Sequence, residues 1–221
     1  MTDALVELYL IRHAQTFLNV DHTTVVGRSN EEPITSVGED QARFLGRCLL
    51  DQGLVPDEVI TSPAVRAQMT GAIVLEAMGS PLTMRQDDGL QEMSQGDWVG
   101  RRRDEVYSSV TRAEIMRLGK DFKAPNGEST NETGQRMFDA IMRIAERAVS
   151  TSTDGGNPRR IFVITHGNAI KSLASRILGW DNDQTYRFVV DNVSVSLLTL
   201  KHGCLQVEYL AVPPDQLPAR Q

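Results

Sequence analysis

Four side chains in this 221-residue sequence have the types and positions that could do chemistry together: Arg12, His13, Arg66 and His166. Arg12-His13 closes the apolar run Leu5–Ile11, Arg66 lies past Glu58–Thr61 and its Ser62-Pro63 stop, and His166 follows Ile161–Ile164 through Thr165. Short β-branched and aromatic runs of this kind read as buried strands. Ligands of open α/β sheets bind beyond the carboxyl ends of the strands. Guanidinium groups clamp phosphate oxygens in a planar fork, and imidazole is a nucleophile or donor near neutral pH. Two arginines and two histidines gathered at one sheet edge would therefore make an anion site. Taken singly, a histidine after a strand is more often a satisfied structural residue, and a helical arginine more often a solvated one. Two of only four histidines fall directly at such strand ends, and the joint pattern carries the inference.

The elements that must position them alternate. After the first strand, Ser36-Val-Gly-Glu39 reads as a capping box ahead of a helix with Val37, Phe44, Leu45, Cys48 and Leu49 near helical spacing, closed by Gly53 and Pro56. A second helix is expected over about 64–78. A second capping box, Ser129-Thr-Asn-Glu132, opens a helix with Met137, Ile141, Ile144, Ala145 and Ala148 on one face. Asp154–Pro158 reads as a surface loop, 169–178 as a helix, and Val193–Leu200 and Leu205–Leu210 as final strands. The fold class implied is α/β: a three-layer sandwich with a mostly parallel central sheet and helices on both faces. Residues from about 89 to 127 contain Gly96, Gly100, three consecutive arginines and one helix-like patch over 106–118. They read as a small insertion over the active-site end of a single domain spanning 1–221.

Composition excludes several classes. Hydrophobic residues at 40% and charged residues at 24% are an ordinary globular balance. The net charge of −6 argues against general nucleic-acid or anionic-membrane binding, and no aromatic residues interleave with Arg101–Arg103. Cys48 and Cys204 make neither a zinc site nor a disulfide framework, and Cys48 reads as core. No basic segment precedes a long apolar stretch, and no apolar run approaches the length of a membrane span. A soluble cytoplasmic protein is expected, and either a monomer or a homodimer is compatible with the sequence.

The stretch Leu10-Ile-Arg-His-Ala-Gln-Thr-Phe-Leu-Asn19 resembles the signature of the histidine phosphatase superfamily, the phosphoglycerate-mutase-like fold. The resemblance continues through Gly27-Arg28 with Pro33–Gly38, Ser62-Pro-Ala-Val-Arg66-Ala-Gln-Met-Thr70, Leu90-Gln-Glu92 with Gly96-Asp-Trp98-Val-Gly100, Asn126-Gly-Glu-Ser129 and Thr165-His166-Gly167. It implies His13 as the nucleophile that becomes phosphohistidine. Arg12, Arg66, His166, Asn19 and Asn168 would hold the phosphoryl group, and Glu92 would act as general acid and then base. Gly27 and Arg101 would contact the rest of the substrate. Asp87 and Asp88 compete for the acid role, but the spacing of Glu92 to Gly96 and Trp98 matches the family block. The cationic pocket implies no metal and no cofactor. Ala14 departs from the usual glycine, and Val26 stands where the family more often has glutamine or threonine.

The block after the acid separates two branches. The family's mutases have arginine and tyrosine there, whereas this chain has Met93 and Gln95. The resemblance therefore favours a phosphatase acting on a small phosphorylated metabolite. Arg101–Arg103 keeps a phosphoglycerate mutase open as the alternative, and a non-catalytic phospho-ligand-binding protein is a third reading. Specificity is expected to come from about 100–125 and from the loop at about 20–32.

Overall fold

A computed structural model describes residues 6–150 and 158–218. Leu5 at the start of the first expected strand, and 154–157 of the expected surface loop, lie outside the described residues. The elements run β1 (Val6–Arg12), α1 (Phe17–Val20), α2 (Ser36–Asp51), β2 (Glu58–Thr61), α3 (Val65–Ala77), β3 (Met84–Gln86), α4 (Arg103–Val106), α5 (Ser109–Leu118), α6 (Thr130–Ser150), β4 (Arg159–Thr165), α7 (Gly167–Leu178), α8 (Asn182–Arg187), β5 (Val195–Lys201) and β6 (Cys204–Val212).

The strands form one mixed sheet in the order β3-β2-β4-β1-β5-β6. β3, β2, β4 and β1 are parallel neighbours, while β5 runs antiparallel to both β1 and β6. The sheet is thus mostly parallel, as the alternating elements imply. β1 and β4 are covered on both faces, which explains their near-continuous apolar runs. Val6, Leu8 and Leu10 of β1 and Ile161 and Val163 of β4 point into one core, with Met137, Ile141 and Ile144 of α6 and Ile170 and Leu173 of α7. Tyr9, Ile11, Phe162 and Ile164 point into the other, with Ala42, Leu45 and Leu49 of α2 and Ala67 and Val74 of α3. The two-residue alternation of the strands assigns each side chain to a layer. Each fully buried Leu, Ile or Phe stabilises this arrangement by about 1.5–3 kcal/mol.

Two local expectations are corrected. The N-cap of α2 is Thr35, not Ser36: the Thr35 hydroxyl accepts from the Gly38 N–H at 3.0 Å, and its own backbone is extended. The buried stripe of α2 is Gly38, Ala42, Leu45, Gly46 and Leu49, which leaves Val37 and Phe44 exposed and Cys48 only half-buried. The Ser129–Glu132 box forms as expected, with reciprocal bonds of 2.9 and 3.1 Å.

Between β3 and α6 the chain forms no strand. It contributes Trp98, Val106 and Ala124 to a small third core with Val25, and Tyr107 and Phe122 pack against it. No helix among the described residues is long and apolar enough to cross a membrane.

Candidate active site

Sheet register brings the candidate residues together. Arg12 of β1 pairs with Thr165 of β4, so His13 and His166 follow adjacent strands at the same end of the sheet. The His13 N–H donates to Thr165 O at 2.9 Å, and the two imidazoles meet edge-to-face with centroids 5.1 Å apart. β2 ends beside β4, the Ser62 N–H donates to Ile164 O, and α3 then projects Arg66 toward His13.

The His13 side chain is buried. Its Nδ1 lies 2.7 Å from Ala14 O, and a carbonyl can only accept, so Nδ1 carries the proton and Nε2 presents a lone pair. Arg66 Nε points at that lone pair from 3.3 Å, while its two terminal nitrogens donate to Ser29 O and Arg28 O. Burial, then the charges of Arg66 and Arg12, push the His13 pKa well below the ordinary imidazole value, against a small opposing effect from Ala14 O. His166 is lowered in the same way by burial and by Arg66, His13 and Arg12. Both rings are therefore neutral near pH 7, as a nucleophilic imidazole requires.

His166 Nε2 meets the Ser62 hydroxyl at 2.8 Å, and that hydroxyl already accepts from the Ala64 N–H. The Ser62 hydroxyl keeps its proton to donate to Nε2, and in that tautomer the Nδ1–H of His166 is a donor. Among the described residues this Nδ1 and Arg12 Nε are buried without a hydrogen-bond partner. Arg12 is anchored by Nη1 to Val190 O at 2.6 Å, and its guanidinium lies against Gly167. A Cβ at residue 167 would sit 3.3 Å from Arg12 Nε, so glycine there keeps the arginine in place. Buried donors are costly to leave unpaired, and an anion between them would satisfy both.

Glu92 closes the opposite side. Its Oε1 accepts from the Met93 and Ala169 N–H groups at 2.8 and 2.9 Å, and Oε2 accepts from the Asn168 N–H at 3.2 Å. The carboxylate thereby caps the first turn of α7. Oε2, with one longer bond, is the oxygen with capacity to spare. The backbone of Glu92 is itself gripped, because its carbonyl accepts from Arg28 and Arg136, each at 3.3 Å. Arg136 also donates to Gly89 O, Gln91 O and both oxygens of Glu128.

A cavity of about 270 Å³ is walled by Arg12, His13, Asn19, Arg66, Glu92 and Asn168, while His166 is fully buried behind His13 and is not among its lining residues. Gly27 and Val26 also border it. Asn19 is fixed by its own turn, accepting from the Thr16 N–H and from Asn192, which also donates to His13 O. Asp87 and Asp88 lie outside the cavity; Asp87 pairs with Arg143 at 2.8 Å and caps a turn at Gly89, and Asp88 is exposed. Arg101 is also outside: it is exposed, 4.0 Å from Glu105, and borders neither this cavity nor its neighbour. Arg103 of the same run takes the wall position instead, because the chain has turned into α4 by that residue.

Sequence reasoning passed over Lys171 and the Arg28–Glu128–Arg136 network. Lys171 lines the cavity one helical turn beyond Gly167, and that spacing after His166 was a usable signal. Burial and the Arg12 charge lower its pKa, with Glu92 and Asp191 pulling the other way. Arg136 stood inside an amphipathic helix with nothing to distinguish it from a surface arginine. Among the described residues no group of three or more His, Cys, Asp or Glu side chains gathers to hold a metal ion.

A neutral buried histidine, two guanidiniums and a held carboxylate thus meet at the carboxyl ends of a mostly parallel sheet in an α/β fold. The sequence profile of the histidine phosphatase superfamily (branch 1) matches residues 8–213, and the chain belongs to that superfamily and is an enzyme of it. A 2,3-bisphosphoglycerate-dependent phosphoglycerate mutase of Chelativorans sp. is 29% identical over 187 residues, covering 83% of this chain and 86% of that protein. The α-ribazole phosphatase of Shigella flexneri superposes with a TM-score of 0.76 at 25% identity, covering 94% of this chain and 97% of that one. A mycobacterial glucosyl-3-phosphoglycerate phosphatase superposes at 0.78 and 22% identity over 94% and 99% of the two chains, a likeness of fold.

Proposed function

We propose that the protein hydrolyses a phosphate monoester through a phosphohistidine at His13, without a metal ion. The observation that carries this reading is the pairing of a neutral His13, its Nε2 unprotonated at the cavity wall, with Glu92 across the same 270 Å³ space. The Arg66 Nε–H that rests on the Nε2 lone pair turns to a phosphoryl oxygen as the ester enters. In the first step the Nε2 lone pair forms a bond to phosphorus while the ester P–O bond breaks. The leaving oxygen takes a proton from Glu92, held at Oε2. In the second step water attacks phosphorus, its proton passes to the Glu92 carboxylate, and the P–N bond electrons return to Nε2. Arg12, Arg66, His166 Nδ1–H, Asn19 and Asn168 supply the donors that stabilise the charge on the phosphoryl oxygens.

Phosphoglycerate mutase is the second reading, favoured by the names of relatives at 29–33% identity. Against it, the side chain after Glu92 is Met93, which is buried and uncharged and offers nothing to a substrate carboxylate. Purified protein, treated with chelator, is incubated with a panel of phosphate monoesters and with the phosphoglycerates plus 2,3-bisphosphoglycerate. Phosphate release that His13→Ala abolishes supports hydrolysis. Interconversion of phosphoglycerates without net phosphate release refutes it in favour of the mutase. Binding of phosphate esters with neither activity, and no labelled histidine, refutes both.

A further inference from the structure

The candidate catalytic cavity adjoins a second, larger one of about 890 Å³, and Val26, Arg103, Asn168 and Lys171 belong to the walls of both. A leaving group directed across this shared boundary, from a phosphoryl group at His13, would enter the second space. That space has the size and the mixed lining of a site for a sizeable organic ligand.

Its walls differ in kind from those of the first cavity. Trp98 forms an aromatic floor, stacked edge-on to Tyr107 at 5.4 Å and tilted against Phe122 at 5.7 Å. Ile115 and Met116 supply an outer wall from α5, a helix with no buried residue of its own. Most cations on this rim are engaged: Lys123 pairs with Glu132, Arg112 donates to Tyr107 O, and Arg103 lies over the Tyr107 ring at 5.3 Å. Lys171 is different. Among the described residues it has no carboxylate within ion-pair distance, and it stands half-buried where the two cavities join.

We propose that the substrate is a phosphate monoester with a bulky leaving group: a ring system that packs on Trp98, Tyr107 and Phe122, carrying a second anionic group that pairs with Lys171. This rests on the hydrolase reading above and adds the class of leaving group. Apolar ring surface leaving water for an aromatic pocket gives the affinity, and the partly desolvated ammonium gives orientation.

The test compares three esters whose alcohols have similar acidity, so that ring size and charge are what vary: benzyl phosphate, 2-naphthylmethyl phosphate and 3-carboxy-2-naphthylmethyl phosphate, whose carboxylate lies next to the ester carbon on the side of the boundary. The full chain is assayed for phosphate release, alongside Lys171→Met and Ile115→Asp. Expected is at least a ten-fold rise in kcat/KM from benzyl to naphthylmethyl, and a further rise with the carboxylate. Lys171→Met should erase that further rise, and Ile115→Asp should lower the naphthylmethyl value by a larger factor than the benzyl value. Equal kcat/KM for the benzyl and naphthylmethyl esters overturns the ring pocket while the hydrolase reading stands. A carboxylate effect that survives Lys171→Met overturns the assignment of Lys171. No release from any ester, with no phosphohistidine formed, overturns the hydrolase reading and this inference with it.

Discussion

Replacing Arg136 by methionine tests whether the acid-bearing loop is held as described. Arg136 spends five hydrogen bonds on Gly89 O, Gln91 O, Glu92 O and the two Glu128 oxygens, at 2.8–3.3 Å. The pair is mostly buried, with side-chain exposures of 21% and 19%. Methionine keeps most of the volume and removes every donor. Breaking a buried pair costs about 3–5 kcal/mol, but Glu128 retains Arg28 at 2.9 Å and the Ser94 N–H at 3.0 Å. The expected loss is therefore near the lower end, about 3 kcal/mol, which for a chain of this size lowers Tm by roughly 6–12 °C. The loss should also depend on pH. Burial raises the Glu128 pKa, but the bonds from Arg136 and the Ser94 N–H and the charges of Arg136 and Arg28 outweigh it, so the folded value lies below the ordinary one. A depressed carboxylate pKa contributes stability above its unfolded value, and that contribution disappears as pH falls through the folded value. Urea unfolding of both proteins at pH 7 and again near pH 4 should show the gap narrowing in acid. A gap under about 1 kcal/mol at pH 7, or one that widens in acid, would refute the claim that this ion pair holds the loop.

Other substitutions follow from the same geometry. His13→Ala should lower turnover at least about 10³-fold and abolish phosphohistidine labelling, both read in a quench assay with a labelled ester. Glu92→Gln should lower kcat by about 10²–10⁴-fold, and less for esters with good leaving groups, because only poor ones need the proton. Because His13 and His166 are buried and neutral, their folded pKa values lie below the unfolded value near 6.5. Unfolding then takes up protons, so stability should fall as pH drops below about 6.5, and His13→Asn should flatten that slope in urea midpoints. Gly96 has φ +47°, and a Cβ there would lie 2.0 Å from Pro125 O; Gly96→Ala should cost about 3 kcal/mol or more by calorimetry, since backbone must move.

Much of this was readable from the chain because strong local signals agreed with the global arrangement. The apolar runs of β1 and β4 announce doubly covered strands, and polar residues directly after them mark the edge where ligands collect. The histidine at the end of each run is therefore assigned to that edge by the sequence alone. What escaped depends on long-range contact. β3 has three residues and no apolar pattern, and it forms only because β2 offers an edge. Arg101 and Arg103 are indistinguishable by type, and the turn into α4 decides which reaches the cavity. Arg136 gains its role from carbonyls more than forty positions earlier in the chain, a contact that no local spacing encodes.

The partner of His13 Nδ1 has a consequence for turnover. Many catalytic histidines lean on a carboxylate, whose negative charge stabilises the imidazolium as it forms. Here the partner is the carbonyl of the very next residue, fixed by the same turn of chain and too weak a base to take a proton. A phosphoryl group carried on Nε2 would thus sit on a ring that keeps its Nδ1 proton and its positive charge. In that form the ring is a good leaving group and the P–N linkage is short-lived. The backbone at Ala14, which no side-chain substitution can remove, would act as a timer that keeps the enzyme from storing its own intermediate.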